Sequence, residues 1–366
     1  MAKNKKTIKI DFRHYWGHFN LKNNLFVNLL KKDYNVVVDK EHPDYVFYSV
    51  YTHDRPVHSK TYGSIGKKIE NFSPVIYRIL RDIYYFKKER WKMPVISGNF
   101  VKIFVTLENT LPRMDKCDWA FSFRYDDEIK SPRHLRLPSY KSESPNLYKE
   151  LMGKKDIEKI KKEKTKFCNY IYSNNVEFRN YFFKKLNRKK RVESWGKCCN
   201  NMGKLLPGRF DKNKKTEKSK GNLVWKPKEF LKQFKFTIAF ESNNTIGFTT
   251  EKIVEAMSVN SIPIYWGNPL VHRDFNTKSF VNYHDFEREV LKKISPLLLK
   301  IPLIKILVKY YVRSKTTNKV IKRVMEIDQN EELYESYLKE PWFNDNKPTE
   351  YVKDEVIRKR LREIFG

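Results

Sequence analysis

Phe236–Pro269 reads FTIAFESNNTIGFTTEKIVEAMSVNSIPIYWGNP. An apolar, strand-like run ends at Phe240 and gives way to a polar loop. A helix follows, and a second apolar run closes on Trp-Gly-Asn-Pro. Strand, helix, strand at this spacing is the unit from which parallel α/β sheets are built. In such sheets ligands sit beyond the carboxyl ends of the strands, which is where this loop and helix start fall. The helix opens with an acid and a base side by side, Glu251 and Lys252, behind Thr249 and Thr250, either of which suits an N-cap. Helix N-termini present unpaired N–H groups and a positive dipole end, and both favour phosphate. Lys252 adds a full charge there, and Glu251 can accept from ribose or sugar hydroxyls. A ligand with both phosphate and sugar, such as a nucleotide sugar, fits that chemistry. The same spacing is equally that of an ordinary helix start, where the dipole alone favours Glu. No GxGxxG and no GxxxxGK[ST] occurs, so neither a dinucleotide fingerprint nor a P-loop is supported.

Outward from this stretch the same alternation recurs. The N-terminal part gives a strand TIKIDF, a helical NLFVNLLKKDY, and strands NVVVD and DYVFYS. The strand VKIFVTLEN ends at Glu108, and CDWAFSF is a further strand. FCNYIYSN, VEFRNYFFKKLNR and RVESWG read as strand, helix and strand, and DKNKKTEKSKG as an exposed loop. The lysine-rich stretch 145–164 reads as a solvated helix or hinge. The expectation is two α/β domains: 1–150 first, 165–345 second, with 346–366 a helical tail. Residues 51–98 are less regular, with ten Lys or Arg against four Asp or Glu, and PVIYRILRDIYYFKKERW mixes apolar and basic residues at helical spacing.

Composition narrows the class. Of 366 residues, 40% are hydrophobic, 32% charged and 15% aromatic, which suits a globular chain and argues against disorder. The formal net charge of +32 attracts anions of any kind without choosing among them. The four cysteines form no CxxC pair, so a zinc site or disulfide framework is not expected and reduced thiols in a cytosolic setting fit. The start MAKNKKTIKIDF lacks the apolar core of a secretory signal, and no stretch of 18 uncharged apolar residues suggests a membrane span.

The stretch around Phe236–Pro269 resembles the donor-binding signature of the α-1,3/1,4-fucosyltransferases, the bacterial ones above all. IFVTLENTLPRMDKCDWAFSF resembles that family's Glu-Asn and Asp-Tyr-Ala block. RHLRLPSY, SNNVEFRNYFFKKLN, VESWGKCCNN, PDYVFYS and YESYLKEPWF resemble further segments, so the likeness covers most of the chain in blocks. Two departures stand out: Ser242 where the family has Asn, with Asn243 following it, and Leu107 where it has Gly. Residues 51–98 and 290–320 also look longer than the family's.

What the resemblance implies is a GT-B fold, with two Rossmann-like α/β domains facing each other across a cleft and C-terminal helices. It implies inverting transfer of fucose from GDP-fucose to a sugar hydroxyl of a lactosamine-type glycan acceptor. Glu108 is then the general base. Arg179 and Lys252 meet the leaving diphosphate, where charge develops. Glu241, Asn243, Phe248 and Glu251 complete the donor site, with Ser194 and Gly196 approaching the nucleotide. Phe248 is equally readable as core packing. No cofactor is required and no metal site is expected, a divalent ion being at most stimulatory. Asp126–Asp127 reads as a solvated turn.

A nucleic-acid-binding protein is the rival from another class, since basic patches with interleaved aromatics are its footprint. No such motif is present, and that reading leaves the block from Phe240 to Gly267 unexplained. From Val290 to Met325 there are ten Lys or Arg and no acid. After Pro302, Leu303, Leu307 and Tyr311 share one helical face beside Ile304 and Val308, with Lys305, Lys309 and Arg313 on another. An anionic membrane surface and an ordinary packed helix both fit. The expected location is cytoplasmic, peripheral on the inner face of the membrane.

Overall fold

The structure, a computed structural model, describes residues 5–17, 19–52, 93–143, 146–205 and 228–366. The segments PVIYRILRDIYYFKKERW and DKNKKTEKSKG lie outside these residues. The chain divides into unit 1, Met1–Arg136 with Ile357–Gly366, and unit 2, Leu137–Val356. The division thus falls after Arg136, ahead of the lysine-rich stretch, and Ile357–Gly366 returns to the first unit.

Unit 1 is a six-stranded parallel sheet in the order β2-β1-β3-β4-β5-β6. Its strands are β1 (Thr7–Arg13), β2 (Asn35–Val38), β3 (Tyr45–Tyr48), β4 (Val101–Thr106), β5 (Trp119–Ser122) and β6 (His134–Arg136). The central strands are apolar on both faces: Val46, Phe47, Ile103, Phe104 and Phe121 are fully buried, as parallel strands covered on both sides require. The helix α1 (Leu25–Leu30) starts at Asn24, whose side chain accepts from the Val27 N–H, and buries Phe26, Val27, Leu29 and Leu30. The C-terminal helix Asp354–Phe365 brings Phe365 onto Tyr45, ring centroids 4.1 Å apart, and Arg358 onto Asp33 at 2.5 Å.

Unit 2 is a five-stranded parallel sheet in the order β11-β10-β9-β7-β8. Its strands are β7 (Lys166–Tyr170), β8 (Val192–Ser194), β9 (Phe234–Phe240), β10 (Ile262–Trp266) and β11 (Val281–Asn282). Helix α2 (Glu177–Asn187) follows β7, and α3 (Glu251–Ser258) joins β9 to β10. The stretch quoted first therefore forms the strand, helix, strand unit that its pattern suggests. Its helix ends as a Schellman motif. Asn260 takes φ 52°, its N–H donates to the Met257 carbonyl, and Ser261 N–H donates to Ala256. Pro263 sits second in β10, before the pairing with β11 begins at Ile264, so no ladder donor is lost on that side. Past β11 come α4 (Tyr283–Leu291), α5 (Pro302–Gln329) and α6 (Glu331–Lys339).

One sequence reading needs correction. Asp126 is not a solvated turn residue: its carboxylate accepts from His134 Nδ1 at 2.7 Å and from the Arg136 N–H at 2.8 Å. His134 Nε2 in turn lies 2.8 Å from Ser122 Oγ. The order Ser, His, Asp is that of a nucleophilic triad. Here Ser122 has no solvent exposure and His134 almost none, so no substrate carbonyl can reach the hydroxyl. The chain of bonds ties β5 to β6.

Candidate active site

Glu241 leaves the end of β9, and its N–H donates to the Trp266 carbonyl at 2.7 Å. Its carboxylate is fully buried, and a buried carboxylate must be paired and hydrogen-bonded to persist. The Thr250 N–H donates to Oε1 at 2.8 Å, and the Thr250 hydroxyl lies 3.0 and 2.8 Å from the two oxygens. The Lys252 ammonium stands 3.5 Å from Oε2, donates to Thr250 Oγ1 at 2.7 Å, and reaches Glu251 at 3.1 Å. Thr250 does occupy the N-cap position of α3, yet its hydroxyl turns to Glu241 instead of capping the helix. Gly267 supplies the room: a Cβ there would come within 2.4 Å of Glu241 Cγ and 2.7 Å of the Tyr265 hydroxyl.

Arg179, on α2, is almost fully buried. Its Nε donates to the Glu241 carbonyl at 3.0 Å, and its guanidinium covers the Tyr172 ring at 4.3 Å. Tyr172 donates to the carbonyls of Ile238 and Phe240 at 2.8 and 3.0 Å, which fixes that ring beside the end of β9. Burial pushes the Tyr172 hydroxyl up to about 12, against the pull of Arg179 and Lys252. The two terminal nitrogens of Arg179 make no hydrogen bond among the described residues. Arg179, Lys252, Glu241 and Glu251 sum to zero formal charge, so the site is no bare cationic patch. It offers directed donors, with Glu241 already sealed by Thr250 and Lys252. That is a preorganised environment for an anion whose charge grows during reaction.

The loop 242–250 is held from behind by Asn268, which is fully buried. Its Oδ1 accepts from the N–H groups of Gly247 and Leu270 at 2.8 and 3.0 Å, and its Nδ2 donates to Thr249 Oγ1 at 3.2 Å. Gly247 takes φ 80°, a region that side chains rarely enter. Asn243 is half-buried and its Oδ1 accepts from the Thr245 N–H at 3.1 Å, shaping the loop. Phe248 is buried.

Ser194 ends β8 with its hydroxyl donating to the Cys198 carbonyl at 3.1 Å and its N–H donating to Asn201 Oδ1 at 2.8 Å. Gly196 runs against the backbone of Tyr172: a Cβ would lie 2.2 Å from that carbonyl oxygen. Ser194 thus closes the β8 loop on itself, and Gly196 lets that loop lie against the β7 loop, which carries the ring under Arg179.

Glu108 stands two residues beyond β4 in unit 1. Thr106 clamps its backbone, the hydroxyl donating to the Glu108 carbonyl at 2.9 Å and accepting from its N–H at 3.2 Å. The Tyr51 hydroxyl donates to Glu108 Oε1 at 2.7 Å. The carboxylate is half-buried and oriented. Among the described residues no group of three or more His, Cys, Asp or Glu could hold a metal ion.

The structure brings Arg179, Glu241, Glu251 and Lys252 together at one end of the second sheet, with Asn243 and Phe248 on the loop beside them. Sequence reasoning missed Tyr172, Thr250 as a ligand of Glu241, Asn268 and Tyr51. The Asn of Trp-Gly-Asn-Pro was a readable signal for Asn268, since a polar residue straight after a buried strand needs partners. Nothing local pointed to Tyr51.

Comparison with known proteins places these residues in a wider set. Residues 161–301 match the family described as glycosyltransferase family 10 (fucosyltransferase) C-term, and residues 10–95 match the alpha-(1,3)-fucosyltransferase FucT N-terminal domain. An alpha-(1,3)-fucosyltransferase FucT from Helicobacter pylori is 34% identical over 221 residues, which is 52% of this chain and 42% of that protein. A putative fucosyltransferase of Acanthamoeba polyphaga mimivirus is 29% identical over 180 residues, 49% of this chain and 24% of that protein. The matched part of the chain thus spans less than half the length of either curated relative. Among solved structures, a crystal structure of alpha1,3-fucosyltransferase with GDP-fucose superposes with a TM-score of 0.64 at 22% identity, covering 100% of this chain and 92% of that one. One with GDP superposes with the same score, identity and coverage. At that identity the likeness is one of fold: two Rossmann-like units of the GT-B class.

Proposed function

The chain belongs to glycosyltransferase family 10, the fucosyltransferases, and from that premise we propose that it moves L-fucose from GDP-fucose to a glycan hydroxyl. The acceptor is an N-acetylglucosamine- or glucose-containing glycan, the linkage α-1,3 or α-1,4, and the anomeric carbon inverts. The observation that carries this reading is the clamp at the end of β9, where Arg179 and Lys252 close on the backbone and carboxylate of Glu241. In the reaction the acceptor hydroxyl gives its proton to the Glu108 carboxylate as its oxygen bonds to fucose C1. The bond from C1 to the diphosphate oxygen breaks, and its electron pair leaves with GDP. Arg179 and Lys252 meet the charge that develops on the diphosphate. Only donor and acceptor are consumed, and no redox step occurs.

A donor screen tests this. GDP release should be seen with GDP-fucose and N-acetyllactosamine or its type 1 isomer, and not with GDP-mannose or UDP-sugars. Faster turnover of another nucleotide sugar would replace fucose transfer with a different inverting GT-B reaction.

We further infer peripheral attachment to an anionic membrane, at the cytoplasmic inner face, through the start of α5. No described helix is long and apolar enough to cross a membrane. From Val312 onward α5 buries Val312, Thr316, Thr317, Val320, Val324 and Ile327, so its later turns belong to the core of unit 2. The segment that leads into it and its first turns differ. Leu297, Leu307 and Tyr311 are 69%, 60% and 54% exposed, with Ile301 and Leu298 also exposed. Lys292, Lys293, Lys305 and Lys309 are exposed among them. Arg313 does not belong to this stripe, because its guanidinium packs over the Phe178 ring at 4.7 Å. Each Lys near an anionic leaflet contributes about 1 kcal/mol, and apolar side chains add insertion. Replacing Lys305 and Lys309 with Gln should therefore weaken co-sedimentation with phosphatidylserine vesicles, and added salt should weaken that of the parent. Unchanged sedimentation would leave these residues as a solvated face only.

A further inference from the structure

The loop after β8 carries two adjacent cysteines, Cys198 and Cys199, neither of which belongs to the clamp at the end of β9. Both are free thiols. Side chains of neighbouring residues point to opposite sides of an extended chain. Here Cys199 takes φ 55°, the left-handed region that few side-chain-bearing residues enter, and the two sulfurs come to 3.8 Å of each other. Backbone strain of that kind persists where the surroundings enforce it. On this loop they do. The Cys198 N–H donates to the Tyr172 carbonyl at 2.9 Å, and the Cys198 carbonyl accepts from the Ser194 hydroxyl at 3.1 Å. Asn200 Nδ2 donates to the carbonyls of Gly196 and Lys204, at 3.0 Å each, and Asn201 Nδ2 to that of Val192 at 2.8 Å. Cys198 is buried, its thiol donating to Asn180 Oδ1 at 3.1 Å. Cys199 is half-buried, so the pair meets solvent through it.

Cα atoms joined by a trans peptide stand ~3.8 Å apart, short of the ~4.4–6.8 Å that a disulfide usually spans, so a bond between these two sulfurs is strained. One ion shared between them is not. Two sulfurs on one ion stand at most twice the metal–sulfur bond apart, ~4.6 Å at the ~2.3 Å of zinc thiolates. The 3.8 Å separation lies inside that limit. A structural zinc site takes four protein ligands, and among the described residues no third His, Cys, Asp or Glu completes a cluster. Monovalent copper is selected by soft thiolates and is satisfied by two.

We propose that Cys198 and Cys199 form a binding site for one soft monovalent ion, copper(I), and that its occupancy opposes GDP at the donor site. Binding exchanges two thiol protons for the ion. Both S–H bonds break, two copper–sulfur bonds form, the protons go to solvent, and no electron is transferred. Burial opposes negative charge at Cys199 and the Lys184 ammonium on α2 favours it, while the ion cancels one of the two thiolate charges. The Cys198 sulfur then has no proton for Asn180 Oδ1, which already takes the Tyr170 hydroxyl at 2.6 Å. Two electron-rich atoms at that separation repel. Asn180 follows Arg179 on α2, and Cys198 holds the backbone of Tyr172, whose ring lies 4.3 Å from the Arg179 guanidinium. A shift at Cys198 therefore reaches Arg179 from two sides, through its own helix and through the ring beneath it. This coupling rests on the reading of Arg179 as a diphosphate contact.

The test uses the full chain, reduced and held without oxygen. Copper(I) is supplied as its bicinchoninate complex with ascorbate, and withdrawal of the ion is read as loss of the complex's colour. The parent should take up one ion per chain. Cys199→Ser should hold it at least as poorly as a site that has lost an outer-shell partner, about 10–100-fold more weakly. Its melting should match the parent's, since that side chain is only half-buried. GDP affinity is then measured by equilibrium dialysis, with and without one equivalent of copper(I). In the parent the ion should weaken it about tenfold, within the usual span of coupling between two sites. In Cys199→Ser it should be parent-like without copper and unmoved by it. Equal copper affinity in parent and Cys199→Ser overturns the site. Should Cys199→Ser melt early, X-ray absorption of the parent's copper decides: two sulfur neighbours support the site, and a shell of nitrogen and oxygen overturns it. One ion bound per chain with GDP affinity unchanged overturns the coupling. A parent that binds no GDP even without copper sinks the donor reading and the coupling with it, while the copper titration still decides the site.

Discussion

Glu108→Gln should lower kcat by about 10²–10⁴, the usual contribution of a positioned general base, while GDP-fucose binds nearly as before. The amide keeps the shape and can still accept from the Tyr51 hydroxyl that now lies 2.7 Å from Oε1. It cannot take the acceptor's proton. The Thr106 clamp acts on the Glu108 backbone alone, so the substitution leaves the end of β4 held as it is. Stopped assays of GDP release, with calorimetry for the donor, measure both quantities. Turnover like the parent's would remove Glu108 from the chemistry and shift the search for a base to another residue of unit 1.

The parts of the fold carried by local pattern were legible. The strand, helix, strand of Phe236–Trp266 follows from two short apolar runs at the right distance, and the acid and base at its helix start do face the end of β9. The first and second sheets follow in the same way. Legibility stops where partners are far apart in the chain. Tyr51 and Glu108 are separated by 57 positions, and their hydrogen bond depends on β3 and β4 being parallel neighbours, which periodicity does not state. Asp126 looked solvated because a pair of aspartates usually is. Its partners, His134 and the Arg136 N–H, lie on the next strand.

Side-chain roles were harder to read than positions. Ser194 and Gly196 lie at the end of the strand where the sequence put them. Their contacts are with the Cys198 carbonyl and the Tyr172 backbone, a close approach that only glycine allows at 196. Thr250 is the N-cap by position, but Glu241 is a charged acceptor and a charge-assisted hydrogen bond outweighs a neutral cap. The helical pattern of α5 likewise did not say where burial begins. Arg313 looked like one of a solvated stripe, yet it lies at the first turn packed on the core, over Phe178.

Lys252→Gln and Arg179→Gln should each weaken GDP binding about 10- to 150-fold, the equivalent of one charge-assisted contact of roughly 1.5–3 kcal/mol. Turnover should fall as well, because the same cations face the charge that appears on the departing diphosphate. The structure adds a second consequence for each. Lys252 stands 3.5 Å from the buried Glu241 carboxylate, and breaking a buried pair from one side costs about 3–5 kcal/mol when the remaining charge is left without compensation. Here Thr250 still donates to Glu241 from both its N–H and its hydroxyl, so the loss of stability should fall below that range. Glutamine is chosen because its amide can keep a donor toward Thr250 without the charge. Arg179 differs, since its Nε holds the Glu241 carbonyl and its guanidinium lies over Tyr172, while its terminal nitrogens remain for a ligand. Its loss should loosen the end of β9 as well as remove a cation. Calorimetry with GDP, read beside thermal melts of each variant, separates the two effects. If both variants bind GDP like the parent and only melt earlier, the cations serve the fold alone, and the first turn of α3 is an ordinary helix start.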